Sequence, residues 1–374
     1  MTVLFWISAL IAGYVYVGYP CLLAVWARTV DRRTRAVPFQ DGEWPAISIV
    51  IAARNEAERL PARISNLLEQ QYPGPCEIIV VSDGSTDAPG AALAPFGAAV
   101  RLLEVPAGGK PLALNAGVAA ATGDVLVFAD ARQRFAPGTL TALVSNLCDP
   151  SVGGATGELV LDCEQETADS TVGEGIGLYW KYEKSMRRNE SRVWSTLGAT
   201  GAIYALRREC WTPLPAATLL DDVLEPMRAV LNGRRIVFEE RAIAYDRASV
   251  DAAAESRRKT RTLAGNYQIL AQEPRLLVPF VNPVWLQYVS HKIGRLIVPW
   301  ALLGLFAASL VLARGNVLFF LVLAAQGVFY GLAIAGAMFQ ARERFARIAF
   351  TFVMMNFSAI AGLAALRRGR EVWR

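Results

Sequence analysis

Long uncharged stretches at both ends of this 374-residue chain limit what it can fold into more than any other feature. The first runs from Thr2 to Ala27 and is longer than the roughly 20 apolar residues that cross a bilayer. It has no basic residue before it and no small-residue cleavage site after it, which favours a transmembrane helix over a cleaved signal peptide. Four arginines follow, and the positive-inside rule then places the next segment in the cytoplasm. These are Arg28, Arg32, Arg33 and Arg35.

Three further uncharged runs lie near the C-terminal end. Residues 296–313 and 315–341 are separated by Arg314 alone, which predicts an antiparallel hairpin of membrane helices. Residues 348–366 have basic residues on both sides, so this run fits either a third span or an interfacial helix. The basic residues on its two sides are Arg342, Arg344 and Arg347, then Arg367, Arg368, Arg370 and Arg374.

Residues 276–290 form a shorter uncharged run that two prolines, Pro279 and Pro283, interrupt. This run is too short to span easily, and its tryptophan and tyrosine favour an interfacial helix. The predicted organisation is a transmembrane helix at 1–27, a cytoplasmic domain at 28–275, an interfacial helix at 276–291 and a transmembrane region of two to three helices at 292–374.

Composition supports a membrane protein and excludes several other classes. Charged residues make up 19% of the chain, against about a quarter in soluble domains. The net charge of +5 is concentrated beside the apolar runs, which favours contact with membrane lipids over nucleic acid. The five cysteines are widely spaced and His291 is the single histidine, which argues against a zinc site or a disulfide framework.

The middle of the chain shows the pattern of an α/β domain. Residues 47–52, 78–82 and 125–129 are compact apolar runs of the kind that form buried parallel strands. Residues 56–70 and 112–121 have helical spacing between them. The order β-α-β-α-β predicts a parallel sheet with crossover helices, and ligands of such sheets bind beyond the carboxyl ends of the strands.

Polar residues follow each of the three predicted strands, as Arg54-Asn55-Glu56, as Asp83 to Asp87 and as Asp130-Ala131-Arg132. Any one cluster is equally explained by turns and helix caps, but three in succession on one edge favour a ligand site. No G-x-G-x-x-G follows the first strand, which argues against a dinucleotide fold, and no P-loop motif surrounds Lys110. Lys110 follows two glycines at a predicted helix start, which suits a diphosphate.

Six ordered segments carry a resemblance to a known family. They are IVIAARNEAE, VVSDGSTD, GGKPLALNAGVAAATGDVLVFADA, GATGAIYALRR, LLDDV and RRKTRTLAGN. Together, from Ile47 to Asn266, they resemble the membrane-bound glycosyltransferases of family 2. The sequence is similar to the branch that contains cellulose, hyaluronan and poly-N-acetylglucosamine synthases. The resemblance implies a GT-A (Rossmann-like) α/β cytoplasmic domain flanked by transmembrane α-helices.

The resemblance also implies residues that bind the nucleotide. Arg54, Asn55, Glu56 and Asp83 would surround a uridine or similar nucleoside, Lys110 would contact the diphosphate, and Asn115 would support the Lys110 loop. The family's D-x-D motif falls on Asp130, with Arg132 where the second aspartate stands. The implied cofactor is Mg²⁺ or Mn²⁺, held by Asp130 with substrate phosphates and water, since these ions need oxygen ligands. Alternatively, Arg132 partly replaces the ion.

The implied catalytic residues lie in the last two segments. Asp222 corresponds to the family's catalytic base, which would deprotonate a sugar hydroxyl. Asp221 is interpreted as the N-cap of a helix over residues 223–231, or as a second acid that raises the pKa of Asp222. Arg258 and Arg261 align with the Q-x-x-R-W motif and would neutralise the leaving diphosphate. Thr262 stands where the motif has its tryptophan. The aromatic ring that would stack on the acceptor sugar is therefore absent from this position.

The function implied is inverting transfer of a sugar from a nucleotide-sugar, with a UDP-sugar favoured, at the cytoplasmic face of the inner membrane. The motif order favours an acceptor in cell-surface polysaccharide synthesis, and a lipid-linked acceptor is the alternative. Residues 179–184, with Trp180, fit an acceptor groove or membrane-surface helix, although core packing explains Trp180 equally well. A homo-oligomer or an export complex would supply the partners of a synthase. The rival hypothesis, motivated by the altered motifs, is a non-catalytic scaffold or pseudoenzyme.

Overall fold

The computed structural model describes residues 1–32, 39–40, 42–162, 173–247, 252–339 and 343–367. Arg33, Arg35, Arg342, Arg368, Arg370 and Arg374, which belong to the basic flanks, lie outside these ranges. The strands are β1 (Ile47–Ala53), β2 (Cys76–Asp83), β3 (Arg101–Val105), β4 (Val125–Ala129), β5 (Arg134–Phe135), β6 (Val152–Asp162), β7 (Ile203–Arg207) and β8 (Arg235–Arg247). The helices are α1 (Thr2–Val30), α2 (Leu60–Leu68), α3 (Pro89–Leu93), α4 (Lys110–Ala120), α5 (Thr139–Ser145), α6 (Gly173–Val193), α7 (Asp221–Leu231), α8 (Ala252–Gln272), α9 (Trp285–Leu312), α10 (Val317–Phe339) and α11 (Arg344–Arg367).

The strands form one sheet in the order β3-β2-β1-β4-β7-β6-β8-β5. β1 pairs in parallel with β2 and β4, which confirms the parallel arrangement predicted for the three apolar runs. β3 was not predicted, and it adds in parallel to β2 at the sheet edge. Beyond β4 the sheet continues with antiparallel β7 and β6. The carboxyl ends of β1, β2 and β4 therefore lie at one edge, as the parallel pattern requires.

Both faces of the sheet are covered by helices, which explains why its central strands are almost entirely apolar. Val50 and Val81 pack on one face with Leu114 of α4 and Met227 of α7. The neighbouring residues of these strands point to the opposite face, as the two-residue period of a strand dictates. There they pack with α2 and α5 side chains such as Ile64 and Leu143.

Four helices are long and apolar enough to cross a membrane: α1, α9, α10 and α11. α1 packs against α9 so closely that a Cβ on Gly304 would lie 2.9 Å from Oγ of Ser8. The separate interfacial helix predicted at 276–291 is not formed. A 3-10 turn ends at Leu277, and the helix that begins at Trp285, just after Pro283, continues without a break into the span to Leu312.

The last helix, α11, packs along α8 of the sheet domain. A Cβ on Gly362 would lie 2.8 Å from the backbone N of Ala264 and 3.0 Å from the carbonyl O of Thr260, so the two helices approach backbone to backbone. Among the described residues of α11, the large apolar side chains that stay exposed are Phe345 and Phe357. Most residues of α11 are thus buried or half-buried, whereas α10 exposes apolar side chains along its whole length.

Candidate active site

A cavity of about 1050 Å³ lies beyond the carboxyl ends of the parallel strands. Its floor is made by strand-end residues, and its opposite wall is made by residues of α6, α8, α9 and α11 together with Tyr16 of α1. The cavity therefore lies between the sheet domain and the apolar helices. The predicted residues that line it are Arg54, Glu56, Lys110, Asp130, Asp221, Asp222, Arg258 and Arg261.

Lys110, the first residue of α4, holds two of the aspartates that line the cavity. Its Nζ lies 3.1 Å from Oδ1 of Asp130 and 3.6 Å from Oδ2 of Asp221. Burial alone would lower the pKa of the Lys110 ammonium, but the carboxylates of Asp130, Asp221 and Asp222 raise it well above its ordinary value. Lys110 therefore remains a cation at the centre of the site.

Asp222 is held at the start of α7 with its carboxylate in the cavity. Its Oδ2 accepts a hydrogen bond from the backbone N–H of Gly201, with the two atoms 3.0 Å apart. Burial raises the pKa of the Asp222 carboxyl, the charge of Asp221 raises it further, and Lys110 and Lys292 partly oppose them, which gives a pKa of about 6. The group is thus ionised near neutral pH and able to accept a proton.

Asp221 does not cap the helix, because α7 begins at Asp221 itself and the preceding Leu220 makes no side-chain cap. The Asp221 side chain is buried, and its Oδ2 has no hydrogen-bond partner among the described residues. Burying such a carboxylate oxygen lowers the stability of the fold unless a cation or a hydrogen-bond donor lies next to it. Lys110, 3.6 Å away, supplies the cation.

Three of the predicted nucleotide-site residues do not line the cavity and instead support loops around it. Asp83 accepts hydrogen bonds from the backbone N–H groups of Gly108 and Gly109, with N to Oδ1 distances of 2.6 and 3.0 Å. Asn55 Oδ1 accepts one from the N–H of Thr86 at 2.9 Å. These contacts fix the loop that follows β1 and the loop that presents Lys110.

Asn115 contacts a different loop from the one predicted. Its Nδ2 donates to the carbonyl O of Leu214 at 2.9 Å, and its Oδ1 accepts from the N–H of Leu214 at 2.8 Å. This two-point contact holds the segment that precedes Asp221. Asn115 therefore supports the aspartate pair, and the expected contact with the Lys110 loop is corrected by these hydrogen bonds.

Arg132, in the altered D-x-D motif, forms an ion pair. Nη2 of Arg132 lies 2.8 Å from Oδ2 of Asp246 on β8, and Nε2 of Gln133 donates to the same oxygen at 3.0 Å. No group of three potential metal ligands occurs among the described residues. The partly exposed carboxylate of Asp130 nevertheless fits a magnesium-type ion, because such ions use one or two carboxylates and complete their shell with substrate phosphates and water.

Arg258 and Arg261 enter the cavity from α8, and Arg261 is exposed. Trp180 of α6 lines the cavity next to this helix, with Nζ of Lys259 5.4 Å from the ring centroid. Sequence reasoning gave no role to Arg187 of α6 or Lys292 of α9, which also line the cavity. Both lie in segments where basic residues normally indicate solvent or a membrane flank, so no local signal distinguished them.

The fold and its strand-end site define an α/β protein of the GT-A class. The family model for glycosyl transferase family 2 matches residues 48–211. The chain is 30% identical over 129 residues to an N-acetylglucosaminyltransferase of Bradyrhizobium elkanii, which covers 33% of this chain and 71% of that protein. The chain therefore belongs to glycosyltransferase family 2.

Two further comparisons give the extent of these similarities. An N-acetylglucosaminyltransferase of Rhizobium meliloti (strain 1021) is 25% identical over 212 residues, which is 54% of this chain and 48% of the relative, so about half of that relative's length is matched. A solved mannosyltransferase from Pyrobaculum calidifontis, in complex with GDP-Man and Mn²⁺, aligns with a TM-score of 0.74 at 23% identity. The alignment covers 98% of this chain and 100% of that one, which shows a shared fold.

Proposed function

We propose that this protein is an inverting glycosyltransferase that moves a sugar from a nucleotide-sugar to a hydroxyl of a membrane-associated acceptor. The observation that carries the proposal is the position of Asp222. Its carboxylate, with a pKa of about 6, lines the same cavity as the Lys110 ammonium at the edge where α/β sheets bind ligands. A base and a diphosphate-binding cation in one cavity are what this reaction requires.

In the proposed reaction, the Asp222 carboxylate accepts the proton of the acceptor hydroxyl. The hydroxyl oxygen forms a bond to the anomeric carbon while the bond from that carbon to the diphosphate oxygen breaks, so the configuration inverts. The transition state resembles the oxocarbenium ion of glycoside hydrolysis. The departing diphosphate takes both bonding electrons, and the Lys110 ammonium and the Arg261 guanidinium bind it.

We include a divalent cation, Mg²⁺ or Mn²⁺, in this proposal. Asp130 would hold it together with diphosphate oxygens, and Asp221 offers a second carboxylate oxygen nearby. When bound, the ion would add positive charge next to the diphosphate. The cation of the Pyrobaculum protein is Mn²⁺, which makes Mn²⁺ the first ion to test.

The proposed donor is a UDP-sugar, with UDP-N-acetylglucosamine as the first candidate because several relatives carry the name N-acetylglucosaminyltransferase. We place the reaction at the cytoplasmic face of the inner membrane, since Arg28 and Arg32 follow the membrane part of α1. The proposed pathway is cell-surface polysaccharide biosynthesis. Protease accessibility in right-side-out and inverted vesicles tests the orientation, and thermal shifts with UDP, GDP and TDP sugars test the donor.

The decisive experiment compares Asp222→Asn with Asp124→Asn in the full chain in nanodiscs. Asp124 is exposed at the amino end of β4, far from the cavity lining, and serves as the matched control. We expect Asp222→Asn to lower transfer by about 10²–10⁴-fold, the usual contribution of a general base, without loss of nucleotide binding. Full turnover by this variant would contradict the assignment. A wild-type chain that binds nucleotides but transfers none of the tested sugars would support the scaffold or pseudoenzyme hypothesis.

A further inference from the structure

Two cationic side chains line the cavity and form no ion pair with a carboxylate in the part of the chain that the structure describes. Arg187 comes from α6 and Lys292 from the first turns of α9. Among the described residues, no carboxylate oxygen lies within 4.0 Å of either charged group. Nη1 of Arg187 donates a hydrogen bond to Oγ1 of Thr200, with the two atoms 2.5 Å apart. Glu183 and Glu190 attract the Lys292 charge from beyond 4.0 Å and Arg187 repels it, so an anion bound between Arg187 and Lys292 would offset that repulsion.

The carboxylates closest to these cations already have partners. Glu183 forms an ion pair with Arg295, and its Oε2 lies 3.7 Å from Nε2 of His291. Glu190 Oε1 lies 2.6 Å from Nδ1 of His291 and accepts a hydrogen bond from the Tyr19 hydroxyl at 3.5 Å. Burial would raise the pKa of the Glu183 carboxyl, but Arg295 and His291 lower it well below its ordinary value. Glu183 is therefore ionised, and its charge is paired with Arg295 and His291.

These two cations lie next to the proposed base. Arg187 contacts Thr200, and the next residue, Gly201, donates to the carboxylate of Asp222. Lys292 lowers the pKa of Asp222 through its charge. Lys110, in contrast, is already engaged with Asp130 and Asp221. The cavity therefore has two cationic regions, one at the strand ends and one at α6 and α9, with Asp222 influenced by both.

The second region is continuous with the apolar helices. Tyr16 of α1 and Phe352 of α11 line the cavity with their ring centroids 5.0 Å apart. The Tyr16 hydroxyl donates to Oδ1 of Asn356 at 3.1 Å, and both residues line the cavity. Met355 of α11 adds further apolar surface. A ligand that fills this part of the cavity has to combine an anionic group with apolar surface.

We propose that Arg187 and Lys292 bind the phosphate of a membrane lipid that carries the acceptor hydroxyl, and that the lipid's apolar part lies along Tyr16 and Phe352. The inference rests on the proposed function, because Asp222 has to be the base for the adjacent group to be the acceptor. Arg and Lys are the side chains that bind phosphate most strongly, and amphipathic rings suit the boundary of the lipid chains. The donor diphosphate remains with Lys110.

The test measures binding of fluorescent phosphatidic acid to the full chain in phosphatidylcholine nanodiscs. We expect phosphatidic acid to bind in preference to phosphatidylcholine, and Arg187→Met and Lys292→Met each to weaken this binding about tenfold, as loss of one charge-assisted hydrogen bond does. Arg188→Met and Lys184→Met are the matched controls on α6, because Arg188 pairs with Glu240 and Lys184 with Glu158 outside the cavity lining. These two variants should bind like the wild type.

Three outcomes would overturn the inference. Equal binding of phosphatidic acid and phosphatidylcholine excludes recognition of the phosphate. Equal losses in the control variants indicate general attraction to an anionic surface. Displacement of phosphatidic acid by inorganic phosphate at equal concentration shows a site for the free anion instead of a lipid.

UDP binding, measured in the same nanodiscs, should be unchanged in all four variants. If UDP binding and transfer fail in the wild type while phosphatidic acid still binds, the proposed function fails and the lipid site remains.

Discussion

The backbone N–H of Gly201 donates to Oδ2 of Asp222 at 3.0 Å, and a Cβ on Gly201 would lie 3.0 Å from that same oxygen. The hydrogen bond orients the proposed base toward the cavity. The absence of a side chain on residue 201 leaves room for the carboxylate. A side chain on residue 201 would therefore push the Asp222 carboxylate by a few tenths of an ångström, independently of backbone dihedral angles.

Gly201→Ala should lower the rate of transfer about tenfold or more, because even a displacement of about 1 Å at a reacting group has large effects on rate. The variant should bind UDP like the wild type. Steady-state kinetics with donor and acceptor varied separately will separate the two effects. Gly331→Ala on α10 is the control, since a Cβ there meets nothing within 4 Å. An unchanged rate for Gly201→Ala would show that Asp222 does not need this orientation.

The rate of transfer should fall as the pH is lowered through about 6, because the Asp222 carboxyl has to be deprotonated to act as base and its pKa is about 6. The Asp221 charge raises this pKa, so Asp221→Asn should move the acidic limb of the pH–rate profile to lower pH. The quantity to compare is the pH at which the acidic limb of the pH–rate profile has its midpoint, and not the maximal rate. A limb that stays in place in Asp221→Asn would show that another group titrates.

Lys110→Met should weaken binding of UDP by about ten- to a hundredfold, the range expected for a lost hydrogen bond to a charged group. The reason is that the Lys110 ammonium lines the cavity at the strand ends and is the group to which the proposal assigns the diphosphate. Titration calorimetry in detergent measures the affinity. Lys184→Met, whose lysine pairs with Glu158, should bind UDP normally. Equal affinities for all three proteins would place the diphosphate elsewhere.

Arg132→Asp restores the second aspartate of the D-x-D motif but removes the cation paired with the buried Asp246. We expect the variant to bind Mn²⁺ more tightly and to lose about 1 kcal/mol of stability, because Arg132 is half exposed and its ion pair is partly screened. Adding Asp246→Asn should recover the stability. Thermal unfolding with and without Mn²⁺ measures both effects, and an unaltered unfolding midpoint of the single variant would argue against this role of the ion pair.

Trp180 presents an indole to the cavity, and its Nε1 is buried without a hydrogen-bond partner among the described residues. We predict that this ring replaces the missing motif tryptophan, with its N–H donating to an acceptor hydroxyl. Trp180→Ala should raise the KM for the acceptor about tenfold, with a smaller effect in Trp180→Phe, which keeps a stacking face. The KM for the donor should not change. Equal KM values for acceptor in all three proteins would indicate that the ring only packs.

The central strands were predictable because a strand covered on both faces is apolar at nearly every position. Residues 47–53 and 125–129 show this pattern, and their parallel pairing follows from the helices between them. β3 escaped prediction because it is an edge strand. Arg101 and Glu104 are exposed there, so the run lacks the continuous apolar signal.

The beginning of α9 was mispredicted for an electrostatic reason. His291, Lys292 and Arg295 interrupt the apolar run, and in a single sequence such charges indicate the end of a membrane segment. In the structure Arg295 and His291 contact Glu183, and Lys292 lines the cavity. Their partners are more than 100 residues distant in sequence, as the His291–Glu190 separation of 101 shows, and only the tertiary structure brings them together.

Residues of the candidate site could be predicted from the sequence only where they belong to short motifs. Asp130 follows a predicted strand directly, so its position at the sheet edge could be derived from the strand pattern. Asp222 could be assigned only through the family resemblance, because nothing local distinguishes it from a helix-capping residue. The loop-supporting contacts of Asp83 and Asn115 depend on backbone groups whose positions the sequence does not encode locally.

The close approach of α11 to α8 at Gly362 joins the helix that bears Arg258 and Arg261 to the C-terminal part of the chain. A truncated protein that ends before residue 344 would keep the sheet and its three aspartates, but its reaction chamber would be open on the side that Phe352 and Met355 close. Bulk water would then reach the bound sugar. Such a fragment is expected to hydrolyse the proposed donor instead of transferring its sugar to an acceptor, so α11 would shield the proposed reaction from water.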